Sequence, residues 1–201
     1  MKIENEIYYQ VATDRDYKIG DKLIFNKDIN NGQYNRVFNT DFSINNHRLS
    51  DEIYLIAKRK FFKFRKKEDI FNIAHKLEAY DVVLKELALE EIRRKYFKDL
   101  PSRLHCMFLS VSKDIALKNM ESMANNKEKT GKVFQTVAVK LNGVIFKVGN
   151  VYVNRESKSY AYYKRKAIDY WNQKEVKDEE VKEILFEGKC EIIDILAEIR
   201  R

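Results

Sequence analysis

The chain has 201 residues, of which 44% are hydrophobic and 35% are charged. This share of apolar side chains can fill a core, which excludes a chain that is mainly disordered. One proline and six glycines leave no Pro- or Gly-rich linker, so we expect a single domain over residues 1–201.

The sequence shows no signal for a membrane or for export. No apolar stretch approaches the roughly 18–20 residues that a membrane-spanning helix needs, and the start, MKIENEIYYQ, lacks the apolar core of a secretory signal. Cys106 and Cys190 each lie in an apolar run, where a free thiol acts as a small hydrophobe. We therefore expect a cytoplasmic protein without a membrane partner. The net charge of +8 favours acidic partners such as nucleotides or nucleic acid, although it equally serves solubility.

The first half predicts two strands followed by helices. Aromatic and β-branched residues predict a strand over residues 7–12 and a shorter one over 23–25, and the Asn-, Asp- and Gly-rich segment 26–46 predicts irregular structure. Helices are predicted over 51–65 and 69–97, before Pro101. The apolar stripe of the longer helix is predicted to contain Ile73, Leu77, Tyr80, Leu84, Leu87 and Ala88.

The second half predicts more strand than helix. A buried strand is predicted over 106–111, a helix over 113–123, and a hairpin over 133–148 that turns at Asn142-Gly143. A helix over 156–173 precedes strands at 183–186 and 190–196, separated by a turn at Glu187-Gly188. Strands at both ends around a helical middle favour the α+β class.

Several well-defined sites are absent from the sequence. It contains neither a glycine-rich phosphate-binding motif nor a HExxH or CxxC motif, and its three histidines lack metal-ligand spacing, so we expect no metal.

The segment KRKFFKFRKK mixes basic and aromatic residues. Such a mixture suits phosphate backbones and unstacked bases, although a helix can equally bury its phenylalanines and leave the charges in water. The candidate nucleic-acid contacts are Lys58, Arg59, Lys60, Lys63, Arg65, Lys66 and Lys67.

Three separated segments carry a resemblance to a known superfamily. They are Tyr8-Tyr9-Gln10-Val11, Leu100-Pro101-Ser102-Arg103-Leu104 and Glu183-Ile184-Leu185-Phe186. Their order resembles that of the ADP-ribosyltransferase superfamily, and most closely an uncharacterised prokaryotic family within it. The resemblance implies an α+β fold with a mixed or antiparallel sheet core, a long helical insertion in the first half, and NAD as substrate.

The resemblance also implies roles for individual residues. Glu183 matches the glutamate that stabilises positive charge when the nicotinamide–ribose bond breaks, and Glu187 is the competing candidate; either is otherwise an ordinary exposed carboxylate. Ser102 and Arg103 match the segment beside the diphosphate. Gln10 stands where superfamily members usually carry His or Arg to hold ribose or phosphate.

Other residues are candidates on chemical grounds alone. Tyr160 and Tyr162 offer rings on which a base can stack, although tyrosines at helical spacing more often pack in a core. Arg36 lies in the polar segment and can approach a phosphate, or simply be solvated.

The leading hypothesis is an NAD-dependent ADP-ribosyltransferase-like protein that acts on an unknown acceptor, either protein or nucleic acid. The alternatives are a nucleic-acid-binding protein that uses residues 58–67 and a non-catalytic nucleotide-binding protein.

Overall fold

A computed structural model of the chain describes residues 1–43, 48–58, 67–125, 131–149, 153–154, 156–173, 177 and 181–201, with side chains at all of these except 52, 55–58 and 67–69. The strands are β1 Lys2–Thr13, β2 Lys22–Phe25, β3 Met107–Leu109, β4 Val133–Val148 and β5 Glu183–Arg200. The helices are α1 Gly32–Phe38, α2 Leu49–Lys58, α3 Lys67–Tyr96, α4 Lys113–Ala124 and α5 Tyr160–Trp171.

The described strands form one open antiparallel sheet in the order β1-β4-β5-β2, with β3 pairing on β5 beside β2. The sheet curls so that β1, at one end of this order, approaches the chain just after β3. Backbone hydrogen bonds of 2.8 and 3.3 Å join Tyr9 of β1 to Ser110 there. The α+β class and the long helical stretch before β3 are confirmed. The ADP-ribosyltransferase fold stays a prediction.

The sheet has two buried faces. Its inner face carries a core that includes Tyr8, Val139 and Phe186 and is closed by Tyr17 and Phe25. On its outer face, α3 and α5 pack over Phe146 and Leu185, and α4 packs further along over Phe134. Alternation along β5 therefore directs Glu183, Leu185 and Glu187 towards α3 and α5.

The predicted turns at Asn142-Gly143 and Glu187-Gly188 are wrong, because each dipeptide lies inside a long strand. Gly143 pairs with Gly188 on one side and with Ile3 on the other. A Cβ on Gly143 would lie 2.2 Å from the Glu187 carbonyl oxygen, and Gly188 has φ +147. The two glycines allow the backbones of β4 and β5 to approach closely. Close approach of another backbone is one of the usual reasons for a glycine inside a strand.

The long helix α3 is confirmed, but its predicted stripe is only partly correct. Ile73 and Ala88 are buried, whereas Leu77, Tyr80 and Leu84 are exposed. The segment 26–46, predicted to be irregular, contains α1, whose first N–H groups are capped by Asn31. Cys106 and Cys190 are buried free thiols, as expected. None of the helices in the described ranges has the length and apolar character to cross a membrane.

The glycine pair generates a stability prediction. Gly143→Ala should lower the free energy of unfolding by about 2 kcal/mol or more, because its methyl group must push apart two paired backbones. Gly32→Ala is the matched control: its Cβ meets nothing within 4 Å, so the helix should gain up to about 1 kcal/mol. Urea unfolding monitored by circular dichroism measures both, and equal effects would contradict the close approach.

Candidate functional site

Arg103 lies at the centre of a buried group of charges between α3, α5 and β5. It is only 3% exposed. Its Nε and Nη2 donate to the two carboxylate oxygens of Glu86, at 2.7 and 3.1 Å. Its Nη1 donates to Tyr170 Oη at 2.7 Å and to Glu183 Oε1. The guanidinium thus connects α3, α5 and β5 through its hydrogen bonds to Glu86, Tyr170 and Glu183.

The backbone around Arg103 is fixed by a turn that leads into β3. The Cys106 N–H donates to the Ser102 carbonyl at 2.9 Å, closing this turn after Pro101. The Asn31 side-chain amide donates to the carbonyls of Arg103 and Cys106, both at 2.8 Å. These contacts hold Arg103 where its guanidinium lies 5.2 Å from the centre of the Phe108 ring.

The charges compensate for their own burial. Burial alone would lower the pKa of Arg103, but the carboxylates of Glu183 and Glu86 outweigh it and raise this pKa well above the ordinary value. Burial would likewise raise the pKa of Glu86, but Arg103 and Lys85 lower it on balance. Burial raises the pKa of the Tyr170 phenol, against the opposing effect of Arg103, so this phenol stays protonated and donates.

Ser102 links this group to a second one. Its hydroxyl donates to Glu90 Oε2 at 2.9 Å, and its backbone N–H donates to Glu187 Oε1 at 2.7 Å. Glu90 also accepts from Arg93 at 2.8 and 2.9 Å and from Arg94 at 2.8 Å. Burial opposes ionisation of Glu90, but these hydrogen bonds lower its pKa on balance.

Glu183 and Glu187 each keep a carboxylate oxygen that no described residue binds, and Glu183 is the one whose other oxygen is held by two donors. Arg103 and Tyr170 both donate to its Oε1. Its Oε2 makes no hydrogen bond within the described part of the chain, and its side chain is 13% exposed, compared with 0% for Glu86. One oxygen is anchored and the other is available, so the side chain can present negative charge in a fixed direction.

The structure therefore brings together four of the residues that the sequence singled out: Ser102, Arg103, Glu183 and Glu187. It does not bring Gln10 to them. Gln10 pairs with Val137, and the alternation of side chains along β1 places it with Tyr8 on the inner face of the sheet. Its buried Oε1 has no hydrogen-bond partner in the described part of the chain.

The other candidates lie apart from this group. Tyr160 donates to Glu91 at 2.7 Å, and Tyr162 donates to Glu156 at 2.6 Å, both at the surface. Arg36 is exposed on α1.

The proposed nucleic-acid segment falls almost wholly outside the described residues. Residues 59–66 are not described, and Lys58 and Lys67 are the ends of α2 and α3 without described side chains. Nucleic-acid binding by this segment stays a prediction.

Sequence reasoning missed Glu86, Glu90 and Tyr170. A usable signal was present: Glu86 and Glu90 follow the buried Val82 at steps of four, which places them on the buried face of α3. Charged residues at core positions need partners. For Glu90 these are Arg93 and Arg94 on the same helix, whereas Arg103 is 17 positions from Glu86. Among the described residues, no three His, Cys, Asp or Glu side chains are arranged to hold a metal ion.

The fold and site define an α+β protein whose sheet and helices enclose a network of carboxylates around one arginine. The chain belongs to the family described as "Protein of unknown function (DUF2441)", whose model matches residues 8–198. The predicted membership of an uncharacterised family is thus confirmed, and its place among ADP-ribosyltransferases stays a prediction. No curated protein matches the sequence.

The network generates a prediction about folding stability. Arg103→Met should lower the free energy of unfolding by about 3–5 kcal/mol, because it removes the cation that the buried carboxylates of Glu86 and Glu183 share and leaves only Lys85 beside Glu86. The control is Arg48→Met, which removes an exposed ion pair to Asp51 and should cost less than about 1 kcal/mol. Urea unfolding at pH 7 compares them, and similar losses would show that the network is not a major source of stability.

A second prediction concerns pH. Glu86 and Glu90 have pKa values below the ordinary 4.5, so their stabilisation is present above about pH 4.5 and is lost as the pH falls through their lowered values. Glu90→Gln removes one of these groups and should flatten the loss of stability between about pH 5 and pH 3. Glu121→Gln, on the exposed side of α4, is the control. Urea unfolding at each pH measures the slopes; an unchanged slope in Glu90→Gln would contradict the assignment.

Proposed function

We propose that this protein cleaves the nicotinamide–ribose bond of NAD and transfers ADP-ribose to an acceptor, with Glu183 as the residue that stabilises the reacting sugar. The observation that carries the proposal is the state of the Glu183 carboxylate, in which Arg103 and Tyr170 anchor Oε1 and no described residue binds Oε2. The ordered motifs around Ser102 and Glu183 add support, since they meet in space although Arg103 and Glu183 are 80 positions apart.

The chemistry requires a fixed negative charge. When the glycosidic C–N bond breaks, nicotinamide leaves with the bonding electron pair and positive charge develops on the ribose ring. A carboxylate beside the sugar stabilises that charge, and the acceptor's nucleophilic atom then bonds to the same carbon and loses a proton. Glu183 Oε2 supplies this charge without reorganisation, because Oε1 is already held.

The neighbouring residues receive supporting roles in this proposal. The guanidinium of Arg103 is engaged by Glu86, Tyr170 and Glu183, so we assign it to positioning Glu183 instead of binding a diphosphate. Glu187 accepts a hydrogen bond from the backbone N–H of Ser102, so we assign it to holding the segment before β3. Gln10 has no role in the proposal, because it lies on the opposite face of the sheet.

The test is nicotinamide release from NAD by the purified protein, alone and with cell lysate as a source of acceptors. Glu183→Gln should reduce release by about 100-fold or more, because the neutral amide cannot stabilise the developing charge. The substitution keeps an oxygen that can accept from Arg103 and Tyr170, so the fold should persist, which a thermal melt checks.

The matched control is Glu191→Gln, a partly buried glutamate on the same strand that pairs with Lys140 and Lys22. It should retain release within about twofold, because a group that does not face the sugar contributes nothing to the transition state. Equal release by wild type and Glu183→Gln would remove Glu183 from the reaction. Binding of NAD by calorimetry without any release would instead identify a nucleotide-binding protein without catalysis.

A further inference from the structure

A cavity of about 610 Å³ lies between the C-terminal ends of α3 and α5 and the end of β4. This volume is within the range of about 300–1,000 Å³ typical of small-molecule sites. Four aromatic side chains line it: Tyr96, Phe97, Phe146 and Trp171. Phe146 and Trp171 are buried and packed on each other, with ring centres 5.3 Å apart, so this wall is rigid.

The cavity is separate from Glu183. Phe146 and Trp171 both pack against Tyr170, at ring-centre distances of 6.1 and 4.7 Å, and Tyr170 holds Glu183 on its other side. A ligand in the cavity therefore meets the far side of this aromatic layer.

Three backbone carbonyls beside the cavity already accept side-chain hydrogen bonds. Arg93 Nη1 donates to the carbonyls of Lys98 and Leu100, at 3.3 and 3.0 Å, and the Gln173 amide donates to the Tyr170 carbonyl at 3.0 Å. Of these three occupied carbonyls, that of Tyr170 belongs to the last turn of α5, and the other two follow the end of α3.

Three polar side chains at the mouth are not engaged in this way. Lys98, Asp99 and Asn172 line the cavity and are exposed, and their side chains make no hydrogen bond or ion pair with any residue in the described ranges. They provide an ammonium, a carboxylate and a carboxamide around an apolar floor.

We propose that this cavity binds an adenine nucleotide. The accessible aromatic surface is that of Tyr96 and Phe97, since Phe146 and Trp171 are 7% and 1% exposed, and the purine ring packs against it. A carboxamide can donate and accept simultaneously along the edge of adenine, which is the pairing that Asn172 offers, and Asp99 can accept from the exocyclic amine. Lys98 supplies the cation for the phosphate. The site goes beyond the proposed cleavage of NAD and does not depend on it.

The chain offers a local probe for this test, because Trp171 is its one tryptophan and lines the cavity. Titration with AMP should produce a saturable change in tryptophan fluorescence, matched by the heat measured in calorimetry. Adenosine, which lacks the phosphate, should bind more weakly, and ribose 5-phosphate, which lacks the base, should leave the fluorescence unchanged.

Two variants locate the binding. Asn172→Ala should weaken AMP binding about fivefold or more, the loss of roughly one hydrogen bond. Its matched control is Asn125→Ala, which removes another exposed asparagine from a helix C-cap, on α4. Lys98→Ala should weaken AMP binding and leave adenosine binding unchanged, because only AMP carries the phosphate.

Several results would overturn the proposal. They are no fluorescence change and no heat at millimolar AMP, equal loss of binding in Asn172→Ala and Asn125→Ala, or equal binding of ribose 5-phosphate and AMP. The measurement is repeated in Glu183→Gln, which should bind AMP as wild type does. Failure of AMP binding is thus distinguished from failure of NAD cleavage, which is read from nicotinamide release.

Discussion

The buried guanidinium of Arg103 is the contact on which the rest of the structure depends. It donates to Glu86 on α3, to Glu183 on β5 and to Tyr170 on α5, so three elements distant in sequence are held by one cation. Removing the guanidinium would leave buried carboxylates uncompensated, which costs more than the intact pair contributes. The position of α3 against the sheet and the direction of the Glu183 carboxylate therefore have a common cause.

Much of the fold follows from local sequence signals. The strand β1, the long helix α3 before Pro101, and the helices α4 and α5 were predicted from the spacing and type of neighbouring residues. The failures occurred where a local signal had a non-local reason. Asn142-Gly143 has the composition of a turn, but the glycine is there because Gly188 pairs with it on the neighbouring strand β5, and no short sequence window contains both residues.

The site shows the same division. Ser102, Arg103 and Glu183 were found because short motifs surround them, whereas Glu86 and Tyr170 belong to helices whose sequence only predicts packing. Their role is set by partners 17 and 67 positions from them. Gln10 shows the converse: a motif predicted its participation, but the alternation of side chains along β1 directs it to the other face of the sheet. Strand parity can be predicted only when the strand boundaries and register are known.

The pairing of β1 with β4 has a consequence for how the chain acquires its structure. The backbone of Met1 hydrogen-bonds that of Ile145, 144 positions away, so β1 is synthesised well before its partner β4. Forming a contact between residues so far apart in sequence requires the closure of a large loop, which costs entropy before the contact forms. Such contacts slow folding. During synthesis the edge of β1 that pairs with β4 has no partner until β4 emerges, and an unpaired strand edge favours premature association.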